Sequence, residues 1–128
     1  MLVNGVDIVE VPRIKRISEQ YGSRFLHRIY TPLEISYCKG RAQQLASRFA
    51  GKEAMMKALG TGIRGIPWKD IEIIRLKGKP PTIQLHRKAA KRAQDLHFQH
   101  CVIIVALKRI CNSIYSLRKL KFQYPANH

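Results

Sequence analysis

Leu45-Ala46-Ser47-Arg48-Phe49-Ala50-Gly51-Lys52-Glu53-Ala54-Met55-Met56-Lys57-Ala58-Leu59-Gly60-Thr61 is the stretch around which this 128-residue chain is organised. It has the pattern of one amphipathic helix, closed by Gly60, which takes the left-handed conformation a helix end needs. At about 100° per residue, Leu45, Phe49, Met56 and Leu59 fall on one narrow stripe, the expected core face. Glu53 and Lys57, four residues apart, project together beside that stripe. The next sector round holds only Ala46, Ala50 and Ala54, a strip that leaves room for a ligand or another backbone to come close. On the helix alone, an exposed Glu–Lys pair worth about 0.3–0.5 kcal/mol accounts for the two charges.

A second carboxylate changes the balance. Leu2-Val3-Asn4-Gly5-Val6-Asp7-Ile8-Val9 is an apolar, β-branched run of strand type, and Asp7 interrupts it where a central strand ordinarily buries an apolar side chain. A buried, unpaired carboxylate costs several kcal/mol, so Asp7 calls for a cation or hydrogen-bond donors. Capping the turn into the next helix is the other use open to it.

The length suits one domain with a single modest core. No apolar run approaches a membrane span, and no signal peptide precedes the first strand. Cys38, Cys101 and Cys111 are odd in number and follow no zinc spacing, which fits free thiols in a reducing cytoplasm. The net charge of +16 would by default point to nucleic acid. Its distribution argues otherwise: residues 1–100 carry +11, while residues 101–128 add +5 with no acidic residue at all. No run combines basic residues with regularly placed aromatics for base stacking. A basic RNA- or ribosome-binding module is nevertheless the rival class, with salt-sensitive binding as its signature.

Along the chain, Val11-Pro12 opens a helix with Pro in its first turn; Ile14, Ile17 and Tyr21 mark its buried face and Gly22 its end. Arg13 and Arg16 lie on its exposed side, and Arg24 and Arg28 continue the basic surface, either as a solvated face or as a dock for an acidic partner. Thr31-Pro32-Leu33-Glu34 is a capping box that starts a short helix, stopped by Gly40. Beyond the central helix, Asp70–Leu76 and Thr82–Leu85 read as strands around the turn Lys77-Gly78-Lys79-Pro80-Pro81. His86 to Leu96 is a basic helix. Trp68 reads as a core anchor, and His27 and His86 as surface residues. The order β-α-α-α-β-β-α-β predicts an α+β fold with helices on one side of a mainly antiparallel sheet.

Several of these stretches together carry a resemblance: Gly5-Val6-Asp7-Ile8-Val9-Glu10; Phe25 with Tyr30-Thr31-Pro32-Leu33-Glu34; Arg48-Phe49-Ala50-Gly51-Lys52-Glu53-Ala54; Lys57-Ala58-Leu59-Gly60-Thr61-Gly62; Trp68, Asp70-Ile71-Glu72-Ile73 and Gly78-Lys79-Pro80. In this order and spacing the chain resembles the holo-[acyl-carrier-protein] synthases, the short bacterial phosphopantetheinyl transferases, over residues 1 to about 97. The resemblance implies a 4′-phosphopantetheinyl transferase-like fold and a homotrimer with active sites at subunit interfaces. It implies transfer of phosphopantetheine from coenzyme A to a serine of apo acyl carrier protein, releasing adenosine 3′,5′-bisphosphate. It also gives the basic face Arg13, Arg16, Arg24 and Arg28 a role, docking the acidic carrier protein.

Asp7 and Glu53 are hard oxygen ligands on different elements, and magnesium is commonly held by one or two carboxylates plus substrate phosphates and water. They are the expected Mg2+ ligands. Phosphoryl transfer asks mainly for positioning and charge neutralisation. Lys57 is therefore expected at the diphosphate, and Arg48, Lys52 and Lys79 at coenzyme A phosphates. Glu53 is the expected acceptor of the serine proton, so the catalytic set is Glu53, Lys57 and Asp7.

The resemblance stops near residue 101. Where the family has a strand of the form Val-Ser-Leu-Ser-His-Ser-Lys-Glu-Tyr-Ala-Ile-Ala, this chain has Val102-Ile103-Ile104-Val105-Ala106-Leu107-Lys108-Arg109-Ile110-Cys111-Asn112-Ser113-Ile114, without the serine–histidine pair. Codons compatible with these residues, re-read one base later, permit the family motif in register. Residues 1–100 are thus expected to form the transferase domain, and 101–128 a frameshifted tail that supplies one terminal strand and ends in basic coil. An inactive, family-derived chain is the third reading.

Overall fold

The computed structural model describes the backbone of residues 2–61, 65–97, 100–110 and 113–123, and side chains at 5–61, 65–97, 103–108 and 120. Strand β1 (Leu2–Glu10) runs directly into helix α1 (Val11–Tyr21), followed by α2 (Ser23–Ile29), α3 (Pro32–Cys38) and the long α4 (Ala42–Ala58). A 3-10 turn at Trp68–Asp70 leads into β2 (Ile71–Ile74), β3 (Thr82–Leu85), α5 (Arg87–Asp95), β4 (His100–Ile110) and β5 (Ser113–Gln123). Helix α2 is an addition to the expected order. Gly22 separates it from α1 at φ 55°, a backbone state that glycine enters without a Cβ penalty.

The five strands lie in the order β1-β4-β5-β3-β2. The α+β class is as expected, but the sheet is mixed: β1 pairs with β4 and β3 with β5 in parallel, while β2–β3 and β4–β5 are antiparallel. The parallel pair arises because nearly the whole chain crosses over between β1 and β4 before the two meet. β4 therefore sits inside the sheet, and β5 is a paired strand where the sequence pattern leads one to expect basic coil.

Helix α4 lies across the sheet, and its burial goes well beyond one stripe. Leu45, Met56 and Leu59 are in the core as expected, with Phe49 partly buried, and Ala46, Ala50, Ala54 and Met55 are buried as well. They meet Ile103, Val105 and Leu107 of β4, Leu120 of β5, Ile71 and Ile73 of β2, and Ile83 of β3. Full burial of each Leu, Ile or Met side chain stabilises the fold by about 1.5–3 kcal/mol. Gly51 is the close-packing point on the sheet side, where a Cβ would lie 2.6 Å from Ile73 Cδ1 and 2.9 Å from Leu120 Cδ1.

On α1 only Ile14 is fully buried, with Ile17 partly so; Tyr21 is exposed, because α1 ends beyond the edge of the core it packs on. Tyr30 is enclosed and donates its hydroxyl to Leu45 O at 2.7 Å. The thiol of Cys38 is also enclosed, and burial pushes its pKa up to about 11. Cys101 and Cys111 lie outside the described side chains. Among the described residues, no helix is long and apolar enough to cross a membrane.

Candidate active site

Strand geometry places Asp7. Successive side chains alternate across a strand, so Gly5, Asp7 and Val9 face α4 while Val6 and Ile8 face away. Gly5 lets β1 lie directly on the alanine strip of α4: the carbonyl oxygen of Ala54 occupies the space of a Gly5 Cβ, and Ile103 Cδ1 would be 2.6 Å from it. The strip thus receives another backbone, one of its two anticipated uses. This contact brings Asp7 Oδ1 within 2.7 Å of Lys57 Nζ. The aspartate side chain is 10% exposed and the lysine side chain 56%. The hydrogen bond to Asp7 raises the Lys57 pKa, and slight burial opposes it. Helix α1 takes Glu10 as its N-cap residue with no side-chain cap, so Asp7 works at Lys57 and not at that turn.

Glu53, one turn earlier on α4, is half-buried. Burial first and the charge of Asp7 second raise its pKa above the usual carboxylate value, while Lys57 and Arg13 pull it down. Asp7, Glu53, Lys57 and Arg13 therefore share one electrostatic neighbourhood built from β1, α4 and α1. Among the described residues, no group of three or more His, Cys, Asp or Glu is gathered for a metal. Two mutually repelling carboxylates are nonetheless the donor set magnesium uses when phosphate oxygens and water complete its shell. The residues fit that ion and not a closed protein cage.

Lys52 corrects the sequence-based expectation. It was a candidate for coenzyme A phosphates, yet its side chain is completely buried. Its ammonium meets Glu34 Oε1 at 2.7 Å, donates to Trp68 O at 3.2 Å and also donates to Ile71 O. Burial lowers its pKa, with Glu34 opposing. All three donors are engaged, so no phosphate can reach it. Glu34 completes the capping box with Thr31 and accepts from Ile73 N at 3.0 Å, tying α3, α4 and β2 together.

Arg48 is buried too, but differently. Its guanidinium lies 4.4 Å from the Tyr37 ring centroid and donates to Gln44 Oε1 at 2.7 Å, while its buried Nε finds no acceptor among the described residues. It lines a cavity of about 140 Å³ with Tyr37, Ser47, Arg75 and Pro81. Lys79 is exposed in the β2–β3 turn, at the sheet edge opposite β1, so this chain does not bring it to Asp7. Arg13, Arg16, Arg24 and Arg28 are all exposed.

His86 is also corrected: it is partly buried, with Nε2 3.0 Å from Glu72 Oε1. Glu72 takes the Thr31 hydroxyl at 2.5 Å on its other oxygen. The sequence signal for this node was a polar residue, Glu72, within the β-branched run Ile71–Ile74. Trp68 stacks on Phe49 at 4.9 Å, as a core anchor should.

The chain has known relatives. A family model, 4′-phosphopantetheinyl transferase superfamily, matches residues 4–107. The chain belongs to this superfamily. A holo-[acyl-carrier-protein] synthase of Koribacter versatilis is 53% identical over 100 residues, covering 75% of this chain and 80% of that protein. One from Solibacter usitatus is 46% identical over 105 residues, covering 79% and 84%. The crystal structure of Helicobacter pylori holo-[acyl-carrier-protein] synthase in complex with coenzyme A superposes with a TM-score of 0.68 at 32% identity, covering 78% of this chain and 86% of that one.

Proposed function

We propose that this chain transfers 4′-phosphopantetheine from coenzyme A to a serine of apo acyl carrier protein, in the cytoplasm and with Mg2+. The observation that carries the proposal is the convergence of Asp7, Glu53 and Lys57 at one β1–α4 contact in a chain of this superfamily. The serine oxygen bonds to the β-phosphorus as the phosphorus–oxygen bond to the leaving group breaks, releasing adenosine 3′,5′-bisphosphate. Lys57, half exposed and held in its charged form by Asp7, neutralises the diphosphate. Glu53 accepts the serine proton, directly or through a water on the magnesium it would share with Asp7. Asp7 and Glu53 would hold a magnesium ion, which would supply charge neutralisation and orientation of the diphosphate.

A homotrimer is part of the proposal. Val6 and Ile8 of β1 and Ile104 of β4 are exposed at 55%, 54% and 41% on the sheet face away from α4, an apolar patch that a second copy would cover. A partner's β2–β3 turn would then carry the Lys79 that this chain leaves remote, and Arg48, with its orphan Nε, remains a candidate for a coenzyme A phosphate.

The tail is read as frameshifted from about Cys101. The missing serine–histidine pair supports that reading. It makes the chain weakly active or poorly soluble as it stands, with a corrected frame near codon 100 restoring transfer. Incubating the purified chain and its frame-corrected form with coenzyme A, Mg2+ and apo carrier protein tests both statements, with the carrier read by mass spectrometry. No modified carrier from either form would reject the function. Equal rates would reject the frameshift reading.

A further inference from the structure

Helices α2 and α5 both pack on the 3-10 turn at Trp68–Asp70, and a groove of about 430 Å³ runs between them. Its floor is Ile66, Pro67 and Trp68; Arg28 stands on one wall and Lys88 on the other. Both cations are exposed, and no ion pair joins either to a carboxylate among the described residues. The acid of the 3-10 turn itself, Asp70, is buried and already engaged: it takes Arg87 Nε at 3.0 Å and the backbone N of Lys88 at 3.0 Å. Lys91, one turn beyond Lys88, extends the positive wall outward, and Arg24, one turn before Arg28, extends the other.

The charge on α5 opposes the needs of its own helix. Cations in a first turn face the positive end of the helix dipole. Yet Arg87 and Lys88 stand there, with no acid in that turn and no side-chain cap from His86. Arg87 also holds a left-handed φ of 41°. Asp70, reaching over from the 3-10 turn, makes this start tenable. Local rules broken in this way are commonest at surfaces that serve another molecule.

We propose that the groove extends the carrier-docking face beyond α2, taking an acidic protein segment that lays an apolar side chain on Pro67 and Trp68 between Arg28 and Lys88. The proposal rests on the transferase reading, in which the segment belongs to the carrier protein. The groove shares Arg28 with the basic face and continues it past α2. A nucleotide fits less well. The Trp68 ring already stacks on Phe49, and the line from Arg24 through Arg28 and Lys88 to Lys91 matches an extended acidic surface better than one compact ligand.

The test is a Lys88→Glu/Lys91→Glu double variant, with both positions exposed so that the fold is kept, as circular dichroism would verify. Binding of labelled apo carrier protein is followed by fluorescence anisotropy at low and high salt, and binding of coenzyme A by calorimetry. The expected result is a roughly tenfold weaker carrier complex at low salt, a smaller difference at high salt, and unchanged coenzyme A affinity. Unchanged carrier affinity overturns the proposal. Lost coenzyme A affinity with carrier binding intact overturns it in favour of a nucleotide site. If neither the wild-type chain nor its frame-corrected form binds carrier protein, the transferase reading itself falls, and the groove proposal with it.

Discussion

Helix α4 carries two lysines five residues apart, each 2.7 Å from a carboxylate, in opposite surroundings. Lys52 and Glu34 are sealed from solvent, whereas Lys57 is more than half exposed beside a nearly buried Asp7. The sealed pair fixes α4 against α3 and β2, and every hydrogen-bonding position on it is occupied. The open pair has a solvent-facing side, and Glu53 adds a second carboxylate next to it. One pair builds the site and the other is left free to take part in chemistry, although their N···O distances are the same.

Breaking the sealed pair should have the largest effect. Lys52→Met leaves Glu34 as an uncompensated buried charge and should cost about 3–5 kcal/mol in urea unfolding. Lys57→Met should cost less, about 1–3 kcal/mol, because the nearly buried Asp7 loses its partner but keeps an edge open to water. Equal losses in the two variants would erase the distinction. Next in size are Glu53→Gln and Asp7→Asn, each expected to lower transfer in the frame-corrected chain at least about a hundredfold, or ~2.7 kcal/mol of barrier, with the melting curve unmoved. Full activity in either would remove the proposed metal site.

Gly5→Ala should cost about 1–3 kcal/mol by pushing β1 off Ala54, and transfer should fall with it because Asp7 moves away from Lys57. Retained stability and activity would mean that the contact has slack. The smallest effect concerns acid. Burial would raise the Glu72 carboxyl, but the Thr31 hydroxyl and His86 outweigh it and hold its pKa below that of an ordinary glutamate. Its stabilisation is therefore complete above the ordinary value and lost as pH falls through the folded-state pKa. Glu72→Gln should lose about 1 kcal/mol near neutrality and show a flatter decline in acid. An unchanged acid slope would show that this node does not share in the stability of α3.

Much of this was open to sequence reasoning. The span of α4, the turn at Gly22, the capping box at Thr31 and the misplaced charge at Asp7 are all local patterns. Lys52 was not, because residue type and helical phase say nothing about what lies on the far side. Its burial depends on Glu34, on another helix, and on two backbone carbonyls beyond a loop. Glu34 itself was visible only as a capping residue, with its second oxygen unassigned. β5 escaped because Arg118-Lys119 and Lys121 break the period-2 pattern; its strand form follows from pairing with β4.

The parallel pairing of Leu2 with His100 sets the timing of synthesis. At roughly 5–20 residues per second, β1 emerges and then waits on the order of 5–20 s for the strand that completes its sheet. During that interval Val6 and Ile8 have no sheet neighbour. A nascent chain of this design passes through a long vulnerable window before its last quarter is made, so changes in the final codons determine whether the first strand finds its place.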